Sequence, residues 1–205
     1  MKQIVYLIRH SKALKVNNDY NNESLQLQNE KTPLSIEGEE LAKEKLVNDE
    51  LTNLDIIVSS NYVRTISTAK YLTINNDKEV AILPSFGERK FGVKSWDEIP
   101  SDFYLRQWAD ESYKLGDGEC LKEVRKRCYD GLINLLNKNY ERIAIVSHST
   151  AMGTLLRTLC EVLLDSENKI EIKFKDKIIK IDKLDNCMIF KLEFEDKELI
   201  DISII

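Results

Sequence analysis

The chain contains two histidines, His10 and His148, and both stand in the same kind of place. Each follows a short apolar run, residues 4–8 or residues 143–146, and each is followed by a serine, Ser11 or Ser149. Arg9 directly precedes the first histidine. A further apolar run, residues 56–58, ends in Ser59-Ser60-Asn61 and leads to Arg64. Another, residues 80–83, gives way to Pro84 and then to Glu88-Arg89-Lys90. One histidine at such a point is usually structural. Two of them, with two arginines and a carboxylic acid at matching points, suggest chemistry. Guanidinium groups hold phosphoryl oxygens bidentately and stay charged. They also disfavour a neighbouring imidazolium, which leaves a neutral and nucleophilic ring nitrogen. Phosphoryl transfer needs positioning and charge neutralisation, and arginines supply both. The sequence has no carboxylate cluster with metal-ligand spacing, no Gly-x-x-x-x-Gly-Lys-Ser/Thr loop and no Gly-x-Ser-x-Gly elbow. A metal-free mechanism through phosphohistidine, with no cofactor, is therefore expected.

Those side chains meet only if the apolar runs are strands of one sheet, because ligands of open α/β sheets sit beyond the strand carboxyl ends. The runs alternate with helical patterns. Residues 35–51 start on a good N-cap, Ser35, with acids in the first turn. Residues 61–74, 120–139 and 150–164 carry apolar stripes at helical spacing. In the last of these the stripe is Met152, Leu155, Leu156, Leu159 and Leu163. Residues 187–205 alternate apolar and polar around Glu195-Asp196-Lys197, which predicts a hairpin. The expected fold is α/β: a three-layer sandwich with a mostly parallel central sheet, helices on both faces and a C-terminal antiparallel hairpin. One domain over 1–205 is expected, with an excursion at about residues 87–118 over the site. That stretch holds Trp96 and Trp108, which either pack within it or wall an organic leaving group. Residues 16–32, rich in Asn and Gln, read as irregular.

The net charge of −5 argues against a general nucleic-acid binder. No run approaches the ~20 apolar residues of a membrane span. The N-terminal apolar run is too short for a signal peptide. Cys120, Cys128, Cys160 and Cys187 form no Cys-x-x-Cys pair and read as free thiols of a reducing compartment. A cytoplasmic protein is expected, and an exposed sheet edge leaves room for a homodimer.

These residues resemble the histidine phosphatase superfamily, in its phosphoglycerate mutase-like branch. Arg9-His10-Ser11 is similar to the family's Arg-His-Gly, and Pro33-Leu34-Ser35-Ile36-Glu37-Gly38 to its Pro-Leu-Thr-x-x-Gly. "SSNYVRTISTAKYL", "GERKFG", Gly118-Glu119 and "IAIVSHSTAMGTLL" match later motifs in order. The resemblance implies that His10 attacks phosphorus and that Arg9, Arg64 and His148 hold the phosphoryl oxygens. It also implies that Glu88 protonates the leaving oxygen and then takes a proton from water, with an optimum at mildly acidic to neutral pH. Ser11, Arg89 and Ser149 complete the expected substrate-binding set, although Arg89 with Lys90 also reads as a solvated basic pair.

The chain departs from the family at Ser11, which stands where glycine is usual. Serine adds strain if φ is positive there, or a hydroxyl near the phosphate if it is not. Ser149-Thr150 replaces the mutases' Gly-Asn, the segment after Glu88 is short, and "RHSKA" looks like the small phosphohistidine-phosphatase branch. A mutase must shield its phosphoenzyme from water, and the short segment offers little cover. The expected function is a phosphomonoester hydrolase acting on a small phosphorylated metabolite. The alternatives are a phosphoglycerate mutase-type transferase, a protein-phosphohistidine phosphatase and a phospho-ligand binding module without turnover.

Overall fold

The structure is a computed structural model that describes residues 1–17, 23–164 and 169–205. Its large sheet is built from β1 (Lys2–Arg9), β2 (Ile56–Ser59), β3 (Val80–Ile82), β4 (Arg142–Ser147), β8 (Ile189–Glu195) and β9 (Glu198–Ile204). A second sheet holds β5 (Glu161–Leu164), β6 (Ile170–Phe174) and β7 (Lys177–Ile181). The helices are α1 (Leu25–Lys31), α2 (Ile36–Leu46), α3 (Val63–Ala69), α4 (Phe103–Ala109), α5 (Leu121–Leu136) and α6 (Ser149–Leu159).

The large sheet runs β3-β2-β4-β1-β8-β9. The β3-β2, β2-β4 and β4-β1 pairs are parallel, and β8 and β9 join antiparallel. Parallel strands are covered on both faces, so β1 and β4 read as unbroken apolar runs. Val5 and Leu7 of β1 join Ile143 and Ile145 of β4 beneath α5 and α6. Tyr6 and Ile8, with Ala144 and Val146, meet Leu46 of α2 and Ala69 at the end of α3 on the opposite face. Each such fully buried side chain contributes on the order of 1.5–3 kcal/mol. β8 has one buried face, and its Phe190, Leu192 and Phe194 alternate with Lys191 and Glu193. That alternation makes the C-terminal hairpin legible in sequence.

The helices start where their caps allow. The Ser35 hydroxyl accepts the Gly38 N–H at 3.0 Å, and the Glu123 carboxylate accepts the Cys120 N–H at 2.9 Å. Gly38 also lets α2 close on the chain after β1, because a Cβ there would lie 2.1 Å from the Lys12 carbonyl oxygen.

Two expectations need correction. The helix expected over 150–164 ends at Leu159, and residues 161–164 form β5, where Val162 pairs with Ile172. Leu163 keeps helical spacing from Leu159, so periodicity alone does not reveal the switch; pairing with β6 imposes it. Residues 16–32 are not irregular throughout. Ser24 caps α1, which buries Leu25, while residues 18–22 lie outside the described residues. All four cysteines are unpaired; Cys160 is half-buried and the others are buried. No helix among the described residues is long and apolar enough to cross a membrane.

Candidate active site

The carboxyl ends of β1, β2 and β4 lie side by side, as the pairs Arg9–Ser147 and Ser59–Val146 show. The next residues therefore converge. His10 follows β1, Ser60 follows β2 and begins the turn into α3, and His148 follows β4 as the N-cap of α6. The two imidazole centroids are 5.1 Å apart. Arg64, in the first turn of α3, joins them: its Nε donates to His10 Nε2 at 3.1 Å and its Nη2 to His148 Nδ1 at 3.2 Å. Its Nη1 donates to the Asn29 carbonyl at 2.5 Å. The Tyr62 ring packs 4.5 Å from His148 and 4.7 Å from the Arg64 guanidinium.

These bonds fix both histidine tautomers. His10 Nδ1 lies 2.6 Å from the Ser11 carbonyl, which only accepts, so Nδ1 carries the hydrogen and Nε2 keeps its lone pair. His148 is the opposite: Nδ1 accepts from Arg64, so Nε2–H donates to the Ser60 hydroxyl at 2.8 Å. Burial, and then the Arg64 charge, pushes the His10 pKa down to about 3. The same two causes hold His148 well below the ordinary histidine value. A neutral ring whose Nε2 lone pair meets the Arg64 N–H suits attack on an electrophilic phosphorus once a phosphoryl oxygen takes that N–H over.

Arg9 is half-buried, donates through Nη1 to the Leu184 carbonyl, and leaves its Nε without a hydrogen-bond partner. Glu88 lies in the loop after β3. Its Oε1 accepts the Arg89 N–H at 2.9 Å and its Oε2 the Thr150 N–H at 3.4 Å. Ser149 opens α6 directly after His148. Ser11 is fully buried, has no positive φ, and donates its hydroxyl to the Gly38 carbonyl at 2.7 Å. Serine thus brings no backbone strain, and its hydroxyl is engaged with α2.

Arg89 is 2% exposed, so it is not the solvated partner of exposed Lys90. Its guanidinium lies 4.7 Å from the Phe91 ring centroid, 4.8 Å from Phe103 and 5.2 Å from Tyr104, and Nη1 donates to Gln107 Oε1. Trp96 is half exposed and packs edge-on against Phe91 at 5.1 Å. Trp108 lines a cavity of about 270 Å³ beside Ser149 and Thr150.

Sequence reasoning passed over Arg127. From α5 its Nη1 donates to the carbonyls of Ser85 at 2.8 Å and Gly87 at 2.9 Å, and its Nη2 to that of Glu88 at 3.1 Å. It also pairs with Glu119, which accepts the Lys90 N–H at 3.1 Å. Ser147 adds a bond to the Phe86 carbonyl at 2.7 Å. The signal was present: Arg127 borders the buried stripe Val124, Cys128, Gly131, where a half-buried charge needs a partner. Among the described residues no group of three or more His, Cys, Asp or Glu side chains is placed to hold a metal ion.

Comparison with known proteins matches residues 5–198 to the histidine phosphatase superfamily, branch 1. A probable phosphoglycerate mutase, GpmB of Escherichia fergusonii, is 22% identical over 202 residues, covering 95% of this chain and 86% of its own. A mycobacterial glucosyl-3-phosphoglycerate phosphatase has a similar structure, with TM-score 0.71, 16% identity and coverage of 100% and 97% of the two chains. A phosphoserine phosphatase variant from Entamoeba histolytica, solved with phosphoserine, gives TM-score 0.67, 22% identity and coverage of 98% and 96%. At these identities the structural likeness is one of fold.

Proposed function

The chain belongs to the histidine phosphatase superfamily, branch 1, and on that premise we propose that it hydrolyses small phosphomonoesters through a phosphohistidine formed on His10. The observation that carries this reading is Arg64 bridging His10 Nε2 and His148 Nδ1 at 3.1 and 3.2 Å, beside the free Nε of Arg9. In the proposed reaction the phosphoryl oxygens take over the N–H groups of Arg64 and Arg9. His10 Nε2 then bonds to phosphorus as the ester P–O bond breaks, and Glu88 gives its proton to the leaving oxygen. Water attacks the phosphohistidine, Glu88 recovers a proton, and phosphate leaves a neutral His10. The arginine charges stabilise the transition state, so the reaction needs no metal ion.

Hydrolysis is favoured over mutase-type transfer by the state of Arg89. A mutase must hold the second charged group of a bisphosphate intermediate. Arg89, the candidate for that task, is stacked among three rings and bonded to Gln107. The test is labelling. A ³²P-phosphoester quenched during turnover is expected to leave base-stable, acid-labile label on His10 and none on a His10→Ala variant. Dialysis against chelator should leave turnover intact. Stoichiometric binding without label or turnover would make the protein a binding module. Label passing to phosphoglycerate rather than to water would make it a mutase.

A further inference from the structure

The cavity of about 270 Å³ beside Ser149 and Thr150 is walled by α4, α6 and the small sheet. Its apolar lining includes Trp108, Leu121, Leu156, Val162, Ile172 and Leu184. It is larger than the roughly 150 Å³ apolar cavity known to hold benzene. His10 is not part of its wall, but the reactive cluster touches that wall at three points. Thr150 donates to Glu88, Arg9 donates to the Leu184 carbonyl, and Ser149 follows His148.

Several polar side chains in the wall are already engaged. Gln107 accepts from Arg89 and donates to the Tyr113 carbonyl at 2.9 Å and the Glu119 carbonyl at 3.3 Å. The Thr154 hydroxyl donates to the Ala151 carbonyl at 2.9 Å. Arg157 pairs with Glu111 at 2.9 Å and lies 4.2 Å from the Trp108 ring centroid. Arg89 Nε is a buried donor without a hydrogen-bond partner, and Arg157 Nη1 reaches Glu111 as an ion pair without hydrogen-bond geometry. A polyol or a carboxylate entering here would shed its water against a wall that is mainly hydrocarbon. A second cleft next to Glu88 sets Lys90 and Arg127 against Glu30, Glu88 and Glu119, a charged wall unlike the apolar one beside Ser149 and Thr150.

We infer that the cavity between α4, α6 and the small sheet receives the alcohol portion of the substrate, and that this alcohol is mainly an aromatic or branched hydrocarbon. This rests on the phosphatase reading and narrows it: glycerates and sugar phosphates are poor substrates.

The test compares benzyl phosphate, glycerol 1-phosphate and 3-phosphoglycerate, all esters of alkanols, so that leaving-group acidity does not decide the outcome. kcat/KM for benzyl phosphate is expected to exceed the others by roughly tenfold or more, the range a hydrophobic contact commands. The second arm is Gly153→Leu. A Cβ at Gly153, within the cavity wall, meets only Leu184 Cδ1, at 3.9 Å, and leucine favours a helix over glycine. The variant is expected to fold, to fill the cavity and to cut the benzyl-to-glycerol ratio by about tenfold. Equal or better use of 3-phosphoglycerate or glycerol 1-phosphate, or an unchanged ratio in Gly153→Leu, would overturn the inference. Calorimetric binding of the same esters separates the two readings. If no ester is turned over, the phosphatase reading fails, while tighter binding of benzyl phosphate, lost in Gly153→Leu, still upholds the cavity assignment.

Discussion

His10 and His148 are both neutral yet hold their hydrogens on opposite ring nitrogens, because one Nδ1 faces a carbonyl and the other faces a guanidinium. Nitrogen-15 NMR at about pH 5 is expected to show an Nδ1–H tautomer for His10 and an Nε2–H tautomer for His148, with neither ring titrating near the ordinary value. An imidazolium signal from either ring would contradict the arrangement. Ser11→Ala removes the bond to Gly38 and is expected to cost about 1 kcal/mol in urea unfolding. Ser11→Gly should not stabilise the protein, since φ is not positive there. At this scale the sequence was informative for a simple reason. A polar residue that ends an apolar strand is placed by the strand, so Arg9, His10 and His148 could be grouped without coordinates. The Arg89 environment was hidden because Phe103 and Tyr104 stand on α4, well along the chain from Arg89 and Phe91, and only folding stacks them.

The loop carrying Glu88 has few bonds of its own and is held from outside by α5. Arg127 ties down the carbonyls of Ser85, Gly87 and Glu88, so it acts as a positioning residue for Glu88. Arg127→Gln is expected to lower kcat at least ~10-fold for an alkyl phosphate, whose leaving oxygen needs a proton. The loss should be much smaller for p-nitrophenyl phosphate, whose leaving group departs unaided. An equal loss on both substrates would point to general damage to the fold. The small sheet is harder to read from sequence than the large one. Residues 170–174 do alternate, with Ile170, Ile172 and Phe174 against Glu171 and Lys173. Yet β5 was absorbed into a helical stripe, because Leu159 and Leu163 suit either structure. The partner strand decides between them, and it lies beyond residues 165–168, outside the described residues.

Across the whole molecule, two buried histidines couple folding to acidity. His10 has a pKa of about 3 in the folded protein against an ordinary 6.5, so between those values the unfolded chain binds a proton that the folded chain refuses. Stability is therefore full above about pH 6.5 and declines as the pH falls toward 3. His148 acts in the same direction. Moving from about pH 7 to about pH 5 is expected to cost about 2 kcal/mol through His10, with His148 adding to the loss, seen as a lower urea midpoint. His10→Asn should make the midpoint less sensitive to pH over that range; a wild-type midpoint insensitive to pH would show that the rings are not buried neutral. The overall α/β layering was legible because strands and helices alternate along the chain, with the hairpin at 189–204 standing apart.

That hairpin has a consequence for the order of assembly. β1 is flanked by β4 and β8, so Lys2 faces Glu195 and Ile8 faces Ile189 across nearly the full span of the chain. During synthesis at about 5–20 residues per second, the strand leading to His10 waits with one edge open until β8 emerges. Contacts of such separation also slow folding once the chain is complete. The segment that carries His10 is thus made well before β8 and secured only after it, and a chain stopped short of β8 would present a bare strand to its neighbours.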